Sequence, residues 1–349
     1  MMDFMSRHSQ PDYIGRISEL LRPRVGTAGV VLDLFAGCGG LGLGFEAAGF
    51  ETVGYEMDAD CCATYNLNLS GTCHQSFLTT ETRFPAAEIV VGGPPCQPFS
   101  VGGHQRGLED SRDGFPAFIA AVEQVRPSLF LLENVRGLLY RNRWYLSEVV
   151  SRLEQIGYIV DFKLLNAVDF RVPQKRERLI VVGHKGGYAF PTPSHSRVTA
   201  GQALGESAFA APGDGKYLTE SMDEYVGRYE RASQCVNPRD LDLEKPSRTL
   251  TCRNIAAPTG DMHRIKLPDG RRRRLSVREA ARLQSFPDWF EFNGNETSQF
   301  YQIGNAVPPM LSHALAQSAA TYLRTFSPLD EDEIQMRRQP VQAELMLGQ

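Results

Sequence analysis

The chain has 349 residues, is 42% hydrophobic and 22% charged, and carries a net charge of −4, a composition that excludes disordered and fibrous chains and fits about two globular domains. It holds no run of 18 apolar residues and no apolar signal core at its start, so neither a membrane-spanning helix nor a secretory leader is expected. Its seven cysteines form an odd set without a C-x-x-C pair, which argues against a metal site or a disulfide framework and for a reducing cytoplasm.

Residues 13–22 have the spacing of a short amphipathic helix, with Ile14, Ile17, Leu20 and Leu21 on one stripe. Residues 30–35 (VVLDLF) read as a buried strand, followed by a glycine-rich turn and a helix over 41–48. Further strands are predicted at 52–55, 89–91, 129–133, 160–165 and 179–183, and helices at 59–67, 115–124 and 145–156. This alternation predicts an α/β fold, a mostly parallel sheet with helices on both faces. From 186 to 273 the chain is rich in Gly, Pro, Ser and Arg and loses periodicity. A helix returns at 276–284, where Ser276 and Glu279 have the spacing of a capping box, and a last one runs over 309–326. The expected organisation is a large domain (1–185 and 288–327), a small domain (186–287) and an acidic tail (328–349).

Four segments carry candidate chemistry. The first is the turn Asp33-Leu34-Phe35-Ala36-Gly37-Cys38-Gly39-Gly40. Its glycines allow a ligand close to the backbone, but the spacing is not G-x-G-x-x-G. The next strand ends in Tyr55-Glu56-Met57-Asp58, where a carboxylate can bind ribose hydroxyls, and Phe35 can stack on an adenine. An ordinary strand-loop-helix junction is the alternative; together the two segments favour a nucleoside cofactor. The second is Gly92-Gly93-Pro94-Pro95-Cys96-Gln97-Pro98-Phe99-Ser100, whose prolines restrict a loop presenting one thiol. It reads as a nucleophile mount or as a Pro-rich turn with a buried cysteine.

The third is Leu132-Glu133-Asn134-Val135-Arg136-Gly137, with a carboxyl ending an apolar strand. Glu133 is a candidate proton donor, since desolvation disfavours its charge; capping the next turn or pairing with an arginine are the alternatives. The fourth is Pro173-Gln174-Lys175-Arg176-Glu177-Arg178-Leu179-Ile180, where alternation puts Arg176 and Arg178 on one face, able to hold a phosphate or a base oxygen. Between Arg248 and Arg274 eight Lys/Arg stand against Asp261 and Asp269, a local balance of +6 that reads either as a phosphate-binding patch or as a solvated basic hairpin.

These four segments in this order, with Arg278-Glu279-Ala280-Ala281-Arg282-Leu283-Gln284-Ser285-Phe286-Pro287 and Gln302-Ile303-Gly304-Asn305-Ala306-Val307-Pro308-Pro309 after them, resemble the cytosine-C5 DNA methyltransferase family of bacterial restriction–modification type. The resemblance spans Val30 to Ala314. It implies an S-adenosylmethionine-dependent, Rossmann-like sheet domain and a smaller, strand- and loop-rich target-recognition domain over 186–287. The implied reaction transfers a methyl group from S-adenosyl-L-methionine to C5 of a cytosine in a specific short duplex sequence, leaving S-adenosyl-L-homocysteine.

By the same resemblance Cys96 adds to C6 of the base, Glu133 contacts N3 and the exocyclic amine, Arg178 holds O2 with Arg176 close by, and Asn134 fixes the loop around Cys96. Cofactor binding falls to Phe35, Ala36, Gly37, Gly39, Gly40, Glu56, Met57, Pro94, Asn305 and Ala306. The family's third strand ends in an aspartate; here Gln75 takes that place, and its carbonyl can accept the same hydrogen bond. The base has to leave the duplex stack. Residues 100–114, including Ser100, Gln105 and Arg106, have the composition of a closing lid. Arg248, Arg253, Arg271, Arg272, Arg273 and Arg274 are the candidate DNA contacts, the last four on phosphates. Double-stranded DNA is the implied partner, with no membrane, a restriction endonuclease acting separately, a monomeric state, and a bacterial cytoplasmic location on the nucleoid. The alternatives are an RNA (tRNA) cytosine-C5 methyltransferase and a non-catalytic DNA-binding relative.

Overall fold

A computed structural model describes residues 12–24, 26–95, 113–211, 216–232, 234, 239–256 and 261–325. The strands are β1 (Val30–Leu34), β2 (Glu51–Glu56), β3 (Thr72–Gln75), β4 (Ile89–Gly92), β5 (Leu129–Val135), β6 (Ile159–Asn166), β7 (Glu177–His184), β8 (Arg264–Lys266) and β9 (Arg272–Arg274). The helices are α1 (Tyr13–Leu20), α2 (Gly40–Ala47), α3 (Ala59–Asn68), α4 (Phe115–Val125), α5 (Gly137–Tyr140), α6 (Arg143–Gln155), α7 (Ala200–Leu204), α8 (Glu220–Ala232), α9 (Cys252–Ile255), α10 (Val277–Leu283), α11 (Glu296–Asn305) and α12 (Pro309–Thr325). No described helix is long and apolar enough to cross a membrane.

Seven strands form one sheet in the order β3-β2-β1-β4-β5-β7-β6. The first five are mutually parallel, and β7 runs antiparallel to both β5 and β6. Strand order reverses between β1 and β4, and such a reversal opens a crevice at the strands' carboxyl ends. Register places Leu34, Gly92 and Leu132 side by side at that edge. The glycine turn, the Pro94-Pro95 loop and Glu133 therefore all leave the sheet together. Strand β5 continues to Val135, two residues beyond the predicted end, because β7 pairs with it as far as Val135 opposite Arg178.

Side chains alternate between two apolar layers, as strand geometry demands. Val91, Leu129 and Leu131 face one layer, with α2 and α12; Val90, Phe130 and Leu132 face the other, with α4 and α6. The first layer continues without a break into Val198, Leu204, Leu250, Ile265 and Leu275, so the loop-rich region and the sheet share one core. Ser276 caps α10 with both halves of the capping box, its hydroxyl taking the Glu279 N–H while Glu279 takes the Ser276 N–H.

Helix α2 lies so close to α12 that a methyl group at Gly44 would collide with the backbone of His313 and the side chain of Ser312. Gly44→Ala is expected to cost about 1–3 kcal/mol, the usual range for overpacking a tight contact. Thermal unfolding checks this; an unchanged midpoint would show that the two helices can separate freely.

Candidate active site

The turn after β1 is held open by backbone geometry. Phe35, Gly37 and Gly39 have φ of 55°, 54° and 89°, all left-handed. A β-carbon at Gly37 would meet nothing within 4 Å, whereas one at Gly40 would strike the carbonyl of Val307. The turn thus presents open space on one side and packs against the 304–307 segment on the other, which brings Asn305 and Ala306 to it. Glu56 supports the turn from β2: Gly37 N–H donates to its Oε2 at 2.9 Å and Asp58 N–H to its Oε1 at 2.9 Å. Each carboxylate oxygen keeps accepting capacity for a further donor.

Beside it Met57 is 64% exposed, and Gln75 gives its amide N–H to the Met57 carbonyl at 3.3 Å, leaving its own carbonyl to accept. Phe77, two residues past β3 and 62% exposed, adds an apolar surface that sequence reasoning did not consider. The only signal was an aromatic residue just beyond a strand end.

Beneath the turn Asp33 is fully buried, and burial pushes its carboxyl pKa well above the usual range, with Glu56 and Glu46 adding in the same direction. Burial pushes the Cys38 thiol up to about 12, and Cys61 and Cys73 are raised further for the same reason. These three thiols are poor sources of thiolate.

At the end of β5, Glu133 Oε1 meets Arg178 Nε at 2.7 Å, with both side chains mostly buried. Glu133 therefore pairs with an arginine, as one of its sequence readings allows. Its Oε2 lies against Gly93, 3.3 Å from where a β-carbon would stand. Asn134 reaches across to the Pro94 carbonyl at 3.0 Å and accepts from the Val135 N–H at 2.9 Å. The Pro95 carbonyl accepts the Gly114 N–H at 3.2 Å, so the two ends of the 96–112 segment are tied together. Cys96, Ser100, Gln105 and Arg106 lie outside the described residues, as does the tail 328–349.

Arg178 opens on a cleft of about 500 Å³ lined also by Val135, Lys175, Glu177, Arg248 and Thr249. The far wall docks through Lys175 N–H to the Ser247 carbonyl at 2.8 Å and Thr249 hydroxyl to the Lys175 carbonyl at 2.7 Å.

Arg176 requires a correction. It is 1% exposed and does not line this cleft. Its guanidinium donates to the carbonyls of Leu250 at 2.7 Å, Gly304 at 3.1 Å and Ala306 at 3.0 Å. Gln284 gives its amide N–H to Ile303 and Ala306 carbonyls, while Gln174 donates to Gln284 and accepts from Leu250 N–H. This buried knot joins four of the sequence segments through side chains spent on backbone carbonyls, a positioning role that strand alternation does not reveal.

A family model described as C-5 cytosine-specific DNA methylase matches residues 30–320. The chain belongs to that family. It is 57% identical over 292 residues to the Type II methyltransferase M.AplI of Arthrospira platensis, covering 83% of this chain and 85% of that one. It is 34% identical over 318 residues to M1.HphI of Haemophilus parahaemolyticus, covering 82% and 85%. The S. pombe Dnmt2 methyltransferase structure has the same fold, with a TM-score of 0.65 at 18% identity over 85% of this chain and 99% of that one. The activity is that of a DNA (cytosine-5-)-methyltransferase.

In this methyltransferase the basic stretch is largely neutralised from within. Arg273 faces inward and pairs with Glu279 through two 2.8 Å bonds. Arg272 is held by Asp223, Asp240 and Glu230, and the fully buried Arg264 by Glu230 and Asp240. The expectation that Arg272 and Arg273 grip phosphates is therefore corrected: their charge is spent on carboxylates from α8 and neighbouring segments. Arg271 pairs with Asp269 on the surface, and Arg274 bonds the Ala256 carbonyl. Arg248 stays on the cleft, tied to Asp261 at 3.2 Å, and Arg253 is exposed.

Proposed function

We propose that this enzyme transfers a methyl group from S-adenosyl-L-methionine to C5 of a flipped-out cytosine in a specific short duplex sequence, through a covalent bond between Cys96 and C6. The observation that carries this reading is the Glu133–Arg178 pair: Arg178 lines the cleft, and Glu133 lies against Gly93 at the start of the Pro94-Pro95 loop that leads to Cys96. Cytosine C5 is a poor nucleophile; adding a thiolate at C6 makes it an enamine carbon, so one hard step becomes two easier ones. Glu133 serves N3 and the exocyclic amine, and its proton at N3 offsets the charge that builds as the thiolate attacks. Arg178 serves O2. Asn134 holds the loop through Pro94. After transfer the C5 proton leaves to water, the S–C6 bond breaks, and the C5=C6 bond re-forms.

The turn fits an adenosine-containing methyl donor. Gly37 leaves space, Glu56 offers acceptors to ribose hydroxyls, and Met57, Phe77 and Gln75 border the place of a base. Phe35, Ala36, Gly39, Gly40, Pro94, Asn305 and Ala306 complete the wall. When bound, the donor supplies an electrophilic methyl group. Residues 186–287 read the target sequence, Arg248 and Arg253 among the contacts, and Ser100, Gln105 and Arg106 belong to the segment that closes over the base. We further read the enzyme as a cytoplasmic monomer acting beside a separate restriction endonuclease. The test is incubation with duplex DNA and methyl-labelled S-adenosylmethionine at low salt. Label is expected in 5-methylcytosine; its absence across DNA of varied sequence overturns the reading, and preference for tRNA in a competition assay moves the substrate to RNA.

A further inference from the structure

Between Glu133 and Glu148 the chain carries Arg136, Arg141 and Arg143 and no acidic residue. This stretch also exposes large side chains at the carboxyl edge of the sheet: Val135 at 49%, Tyr140 at 59% and Trp144 at 46%. Arg136 stands over the Tyr140 ring at 5.4 Å and pairs with Glu177 at 2.5 Å. Arg141 is exposed at the end of α5. Val135 and Arg136 belong to the same cleft as Lys175, Arg178 and Arg248, so the patch is continuous with the site already described. None of the mechanism above uses it.

We propose that Arg141 and Tyr140 form a docking surface for the sugar–phosphate backbone of duplex DNA flanking the target cytosine. The inference rests on the proposed function, because that reading places a base at Glu133 and so makes the duplex run across the mouth of the cleft. The charge of the exposed Arg141 is complementary to phosphate, and no ion pair holds its side chain among the described residues, whereas Arg136 pairs with Glu177. The exposed Tyr140 ring, next in the chain to Arg141, suits the apolar face of a deoxyribose, and such contacts carry affinity without reading sequence.

The test measures binding of the full-length enzyme to a labelled 30-base-pair duplex of mixed sequence over a range of salt concentrations. Arg141→Ala is expected to weaken binding on the order of fivefold at 0.1 M salt and to lower the log–log salt slope by about 0.9, the value of one lost phosphate contact. Arg141→Lys should restore the slope. Tyr140→Ala should weaken binding with the slope unchanged, because no charge is lost, and Tyr140→Phe should not. On plasmid DNA the Ala variants should raise KM and leave kcat as it was. Wild-type affinity and slope in both Arg141→Ala and the charge reversal Arg141→Glu would overturn the patch while leaving the proposed function standing. A wild-type enzyme that shows no salt-dependent binding to duplex DNA would overturn both.

Discussion

Cys96→Ser is expected to reduce methyl transfer by on the order of 10⁴-fold or more, to below detection in a label-transfer assay, since the residue removed is the proposed nucleophile. A serine hydroxyl in the same place lacks both the acidity and the polarisability of a thiol. The prediction is sharpened by the other cysteines: burial raises the pKa of Cys38, Cys61 and Cys73, so these thiols are ill suited to take over. Duplex DNA carrying 5-fluorocytosine gives an independent readout. Fluorine at C5 blocks loss of the proton, the S–C6 bond cannot be released, and wild-type enzyme should migrate as a denaturant-resistant adduct in gel electrophoresis. Cys96→Ser should form none. Turnover by the serine variant near the wild-type rate, or an adduct that persists in it, would remove Cys96 from the mechanism.

Arg176→Met is expected to act on stability instead. The substitution fills similar volume but strips donors from the carbonyls of Leu250, Gly304 and Ala306, two of them reached by one guanidinium nitrogen. The Ala306 carbonyl keeps its bond from Gln284, while each of the other two buried acceptors left without a donor costs roughly 1–3 kcal/mol, a sum of about 2–6 kcal/mol. In a chain of this size that corresponds to a fall in Tm of roughly 3–8 °C. Arg178→Met provides the contrast: its guanidinium lines the cleft and serves the site, so kcat/KM should fall by about 10²-fold or more, a loss of activity far larger than its loss of stability accounts for. Calorimetry of the two variants separates the roles. An Arg176→Met protein with wild-type Tm and no activity would return Arg176 to the substrate site.

The two arginines show how far a linear reading reaches. Their spacing placed both on one face of a strand, and both do stand at the entry to β7. Whether a guanidinium ends in a cleft or among carbonyls depends on what lies opposite. The guanidinium of Arg178 meets Glu133, brought within reach by the β5–β7 pairing; that of Arg176 meets the carbonyls of residues 250, 304 and 306, which are far along the chain. Arg272 and Arg273 follow the same logic. Charge counting over 248–274 saw a basic patch, because the carboxylates that neutralise it come from 223, 230, 240 and 279.

By itself the sequence determined the local elements and the chemistry of their ends. Periodicity marked β1, β2, β4 to β7 and the helices α1 to α4, α6, α10 and α12 to within a few residues but not β3, α8 or α11, Ser276 and Glu279 announced their capping box, and the order of the motifs carried the family. These are properties of short segments, set by steric preference and side-chain type over a few neighbouring residues. The tertiary structure alone decided the strand order, the antiparallel insertion of β7 between β5 and β6, and the apolar layer running from one face of the sheet into the loop-rich region. It alone turned Glu133 toward Arg178 and hid Arg176. Those outcomes come from packing and from the need to satisfy every buried polar group, and both are settled between segments that the chain keeps far apart.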